Sequence, residues 1–156
     1  MLGRSTLLPQ RVSAGLASPV VGMSQRFERS WPLEATAVQL ARIHARTWLS
    51  TWSWEGDHDR ALTVVGELVD NAVTHAEFRG EGVVRLVLLV ADSGELLIDV
   101  MDPDPDFPDF AQAVNSGSRT SGIGFVRGLG GEITWGVPDA GGGGKCVRVR
   151  LSPTPA

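Results

Sequence analysis

Glu67, Asp70, Asn71, Thr74 and His75 recur at steps of three and four residues within an otherwise apolar segment. Side chains at those steps share one side of a helix. The segment, Arg60 to Ala76, is apolar at Ala61, Leu62, Val64, Val65, Leu68, Val69, Ala72, Val73 and Ala76. A helix on the outside of a domain carries less apolar surface than this. The spacing therefore predicts a largely buried helix with one polar stripe. A stripe that only met water would favour Lys, Glu, Arg or Gln, which support helix; Asn, Asp, Thr and His do not. Short polar groups on a buried helix suit the wall of a cavity, with a plain solvated face as the alternative.

Three further segments carry residues of chemical interest. Ile98 to Asp106 reads as a strand running into an Asp-Pro-Asp-Pro-Asp turn, which on pattern alone is only a turn. Ser121-Gly122-Ile123-Gly124-Phe125-Val126 has glycines opening a short helix, where backbone N–H groups can approach a phosphate. A dinucleotide-binding reading fails there, because Gln112 to Thr120 is polar where an apolar strand is needed. Gly143-Gly144-Lys145-Cys146 is not a P-loop: Asp139 and Cys146 stand where Gly and Ser or Thr are required, and a strand follows. His44, His58 and His75 lack metal-ligand spacing. His44 reads as a helix-surface residue and His58 as lying near the start of the second helix. Trp48, Trp52 and Trp54 read as packing.

The elements that must position these residues follow from periodicity. Gln25 to Trp31 is an expected edge strand stopped by Pro32, and Leu33 to Leu49 an expected helix. Val83 to Val90 and Glu95 to Met101 form an expected antiparallel hairpin about Asp92-Ser93-Gly94. Glu132 to Trp135 and Lys145 to Leu151 form a second. In the last strand Val147, Val149 and Leu151 alternate with Arg148 and Arg150, predicting one buried and one wet face. Helices grouped apart from antiparallel strands predict an α+β fold, a two-layer α/β sandwich. The 156 residues, 42% hydrophobic and 21% charged, suffice for one domain. We expect tails at residues 1–23, which is flexible, and 153–156, flanking a domain at 24–152. The net charge of -4 argues against general nucleic-acid binding. One cysteine fits a reducing compartment. No apolar run reaches the length of a membrane span, and Met1 to Gln10 makes a poor signal peptide, so a cytoplasmic protein is expected.

The run Glu67-Leu68-Val69-Asp70-Asn71-Ala72-Val73-Thr74-His75-Ala76 resembles the N box of GHKL, or histidine-kinase-like, ATPases. Asp102 resembles the aspartate of their G1 box, and Gly122 and Gly124 the G2 box that ends their ATP lid. The resemblance spans about residues 25–151 and implies a Bergerat-type fold, with a mixed, mostly antiparallel sheet and helices on one face. It implies ATP and Mg²⁺ as ligands. Asn71 would ligate Mg²⁺ through its carboxamide oxygen, Glu67 would be the general base, and Asp102 would accept a hydrogen bond from the adenine amino group. Gly122 and Gly124 would approach the phosphates. Asp104 and Asp106 stand where that family has loop glycines, close to the expected polyanion. The chain length matches the stand-alone anti-sigma-factor serine kinases. That likeness implies an anti-anti-sigma (STAS) protein and a sigma factor as partners, and allows for a homodimer. The alternative is a module that binds ATP without transferring phosphate, or one that has lost nucleotide and only binds protein.

Overall fold

The computed structural model describes residues 22–75, 82–104, 126, 128–137 and 144–153. The expectations for residues 1–21, Gly122, Gly124 and Asp106 lie outside these residues. The elements run β1 (Met23–Pro32), α1 (Thr36–Thr51), α2 (His58–His75), β2 (Val83–Ala91), β3 (Leu96–Asp102), β4 (Glu132–Gly136) and β5 (Lys145–Leu151). The sheet order is β1-β2-β3-β5-β4, and all four pairings are antiparallel. This is the expected two-layer α+β arrangement, with β1 at one edge and β5 inserted between β3 and β4.

Strand alternation builds the core. Leu86 and Leu88 of β2, Ile98 and Val100 of β3, and Val147 and Val149 of β5 pack in one cluster with the helices. Helix α1 contributes Ala37, Ala41, Ala45 and Leu49, one residue per turn. These small side chains let α1 lie close to α2, where a Cβ on Gly66 would meet the Arg42 stem at 3.2 Å. Helix α2 contributes Val64, Val65, Leu68 and Val69.

The connection between the helices is fixed by hydrogen bonds that the chain supplies locally. Ser53 adopts a positive φ of 52°, its N–H donates to Ser50 O at 3.0 Å, and Trp54 N–H donates to Leu49 O at 3.0 Å. That pattern closes α1 as a Schellman motif, with a serine where glycine is usual. Asp57 then caps α2: its Oδ1 accepts from Arg60 N–H at 3.0 Å, and its carbonyl accepts from Ala61 N–H. Trp54 Nε1 donates to Gly94 O at 2.8 Å, tying this turn to the β2–β3 turn. His58 stacks on Trp54 at the start of α2, where the sequence places it.

Two residues differ from their sequence reading. His44 is half-buried and stacks on Phe27 with ring centroids 6.0 Å apart, because α1 lies over the edge strand. Arg148 is not on a wet face. On the side of the sheet away from the main core, Val87, Leu89 and Leu97 form a second buried cluster with Met23 and Met101 against it. On the same side Arg148 forks onto Asp99, Nε to Oδ1 at 2.7 Å and Nη2 to Oδ2 at 2.8 Å. Asp99 is fully buried, whereas Arg150 is exposed as expected. Burial pushes the Asp99 carboxyl above its ordinary value, and the Arg148 hydrogen bonds and charge pull it back.

Candidate functional site

The stripe on α2 divides into two rows. Glu67 and Asn71, four residues apart, are half-buried, while Asp70 and Thr74 are exposed. The Glu67–Asn71 row therefore lies on the border of the buried face. Each turn of α2 behind it is anchored by Val64, Leu68 and Ala72, all buried. His75 is the last residue of the helix.

Asp102 ends β3. It alternates with Ile98 and Val100, so it projects from the face of the sheet that carries the helices. The chain turns sharply after it. Asp104 N–H donates to Asp102 Oδ1 at 2.9 Å, an Asx turn with Pro103 at its centre. Asp104 itself is buried.

The residue that sequence reasoning missed is Lys145. The antiparallel β3–β5 register sets it directly opposite Asp102. Its Nζ lies 3.1 Å from Asp102 Oδ1 and 3.0 Å from Oδ2, with Asp104 O at 3.5 Å. The side chains are 7% and 2% exposed. Gly144 makes this approach feasible. It has φ +86°, and a Cβ there would stand 2.5 Å from Asp102 O. Only glycine tolerates both. Burial raises the Asp102 carboxyl from its ordinary value, and the Lys145 ammonium and the Asp104 N–H work against that rise. Lysine was visible in the sequence only as the residue after a Gly run; its distance of 43 residues from Asp102 hid the pair.

The residues present fit a magnesium nucleotide in part. The Asn71 carboxamide and the Glu67 carboxylate are the oxygen groups that a hard cation or an acceptor hydroxyl needs. The Asp102 carboxylate is a buried acceptor, but it already holds an ammonium. Away from this end of the sheet, a cleft lined by Gln25, Trp52, Glu55, Val90 and Gly94 lies beside the β2–β3 turn and contains none of these groups.

The model of the family of histidine kinase-, DNA gyrase B-, and HSP90-like ATPases matches residues 56–155. That range contains α2, Asp102 and Lys145. Among solved structures, the RsbU and RsbW domains of Rv1364c from Mycobacterium tuberculosis match with 18% identity and a TM-score of 0.58. That match covers 82% of this chain and 32% of the other. The histidine kinase domain of the Erythrobacter litoralis EL346 blue-light activated histidine kinase matches with 29% identity and a TM-score of 0.48. It covers 60% of this chain and 43% of that one. The chain thus spans less than half the length of these solved chains. No curated protein matches it. Among the described residues, no helix is long and apolar enough to cross a membrane.

Proposed function

The chain belongs to the family of histidine kinase-, DNA gyrase B-, and HSP90-like ATPases, and from that premise we propose that it is a cytoplasmic ATP-binding regulator of the anti-sigma-factor serine kinase type. Its substrate would be a serine or threonine hydroxyl on a small anti-anti-sigma (STAS) protein, and it would also sequester a sigma factor. The observation that carries this reading is the half-buried Glu67–Asn71 row on an otherwise buried α2. Mg-ATP supplies the phosphoryl group when bound. Asn71 would ligate Mg²⁺ through its carboxamide oxygen. Glu67 would take the proton of the acceptor hydroxyl as that oxygen bonds to the γ-phosphorus and ADP leaves. Asp102 would accept from the exocyclic amino group of adenine. Gly122 and Gly124 would offer backbone N–H groups to the phosphates.

The test is calorimetric titration of the full chain with ATP, with and without Mg²⁺, beside Asn71→Ala. Alanine favours helix, so α2 survives the change. We expect Mg²⁺-dependent binding by the native chain and its loss in the variant, with unchanged helical circular dichroism. Equal Mg-ATP affinity in the two proteins would remove Asn71 from the site.

A second reading, a protein-interaction module that has lost nucleotide binding, is favoured by one observation: the Asp102 carboxylate, which would take the adenine amino group, is already engaged by Lys145. Transfer of radiolabelled γ-phosphate to a STAS protein separates the two readings.

A further inference from the structure

Lys145 shares the Asp102 carboxylate with any group that would bond to it. Its Nζ sits within hydrogen-bond distance of both Asp102 carboxylate oxygens, and the two side chains are nearly sealed from water. The placement is enforced by the backbone, through the β3–β5 register and the close passage of Gly144 over Asp102 O. The stem leaves β5 on the same side of the sheet as Val147 and Val149, the side that carries the helices. A ligand reaching Asp102 therefore finds a coupled acceptor and donor, not a lone carboxylate.

That coupling changes what a purine edge encounters. A carboxylate only accepts and an ammonium only donates. Adenine presents an amino donor next to a ring-nitrogen acceptor. Guanine presents a carbonyl acceptor next to a ring N–H donor. A lone carboxylate suits the adenine amino group and repels the guanine carbonyl. A carboxylate and ammonium side by side can serve either edge, the ammonium taking whichever atom accepts. A site built to hydrogen-bond one edge rejects the other strongly only while its own polar groups would be left unpaired.

We propose that Lys145 is a specificity-determining residue, and that the Asp102–Lys145 pair lets the site take guanine nucleotides as well as adenine nucleotides. This inference rests on the nucleotide-binding reading above. Oδ1 of Asp102 is held by Asp104 N–H and by Lys145, so the pair keeps its orientation when a base arrives. Lys145 acts on the base edge alone; phosphate and metal contacts belong to other residues.

The experiment is calorimetric titration of the full chain with Mg-ATP and, separately, Mg-GTP. It is repeated on Lys145→Met, which keeps the apolar stem, and on Lys145→Arg, which keeps a donor. We expect the native chain to bind Mg-GTP within about tenfold of Mg-ATP, which is about 1.4 kcal/mol. Lys145→Met should lose affinity for Mg-GTP at least tenfold more than for Mg-ATP, and Lys145→Arg should stay near the native ratio. A native preference for Mg-ATP above tenfold, or a ratio that Lys145→Met leaves unmoved, overturns the assignment while the ATP-binding reading stands. Binding of neither nucleotide by the native chain overturns both. The native ratio decides the matter even where the Met variant fails to fold.

Discussion

Removing the Arg148 guanidinium should expose how the second side of the sheet is held. Arg148→Met keeps most of the stem volume and deletes both bonds to Asp99, at 2.7 and 2.8 Å. Asp99 is fully buried, so its charge has no water to turn to. Breaking such a pair from one side costs about 3–5 kcal/mol, a large share of the roughly 5–15 kcal/mol that holds a domain folded. The Arg26 charge also favours the Asp99 carboxylate and should keep the loss towards the lower end. The deficit has a pH signature. Burial already places the folded carboxyl above its reference value of 3.8, and loss of Arg148 raises it further. The folded state then binds the proton more tightly than the unfolded one. Stability falls as pH rises from that reference value through the folded one, and the deficit is complete only above it. Urea denaturation at pH 5 and pH 7.5 reads this directly, and the variant should lose less at pH 5. Asp99→Leu combined with Arg148→Met removes both charges and should recover most of the loss, since paired replacement by apolar groups is often neutral. A single variant within about 1 kcal/mol of the native chain at both pH values would mean the pair is as weak as a surface one. A double variant no better than the single would show that the loss came from packing and not from an orphaned charge.

Two other perturbations address the site. Gly144→Ala forces a side chain at φ +86° and a Cβ within 2.5 Å of Asp102 O. The left-handed conformation alone costs about 1–2 kcal/mol. We expect a total loss of about 2 kcal/mol or more by urea denaturation, with weaker nucleotide binding; a change under about 0.5 kcal/mol, the level of an ordinary surface substitution, would deny the close approach. Glu67→Ala should leave Mg-ATP binding in place and slow phosphoryl transfer to a STAS substrate by about 10²–10⁴-fold, the usual worth of a general base. Transfer at the native rate would exclude Glu67 from proton abstraction.

Local signals made most of the fold legible. The run of Val and Leu over 60–76 is dense enough that no other period competes, and α2 was found at His58–His75. Pro32 ends β1 as expected, and Gly94, at φ +92°, closes the β2–β3 turn. The Glu67–Asn71 row was legible because a helix repeats every 3.6 residues, so neighbours on its surface are neighbours in sequence. What stayed hidden depends on which strands lie side by side. Lys145 and Arg148 meet Asp102 and Asp99 only because β5 enters between β3 and β4, a choice of neighbour that no local pattern records. Arg148 thus looked like a solvated residue on an alternating strand. The hydrogen bond from Asp104 N–H back to Asp102 was equally invisible in the sequence.

The insertion of β5 also has a meaning in time. The β2–β3 hairpin closes over a turn of a few residues, and α1 and α2 are joined by a short capped connection. The Asp102–Lys145 pairing spans 43 residues. Loop-closure entropy grows as the logarithm of length, so bringing these two together costs about 2 kcal/mol more than closing a four-residue turn. Non-local pairings of this kind are made late and slowly. A refolding chain can hold its helices and the β2–β3 hairpin and still lack the Asp102–Lys145 pair. If the chain binds nucleotide as proposed, recovery of that binding after dilution from denaturant should time the docking of β5, while recovery of helical signal times an earlier and separate event.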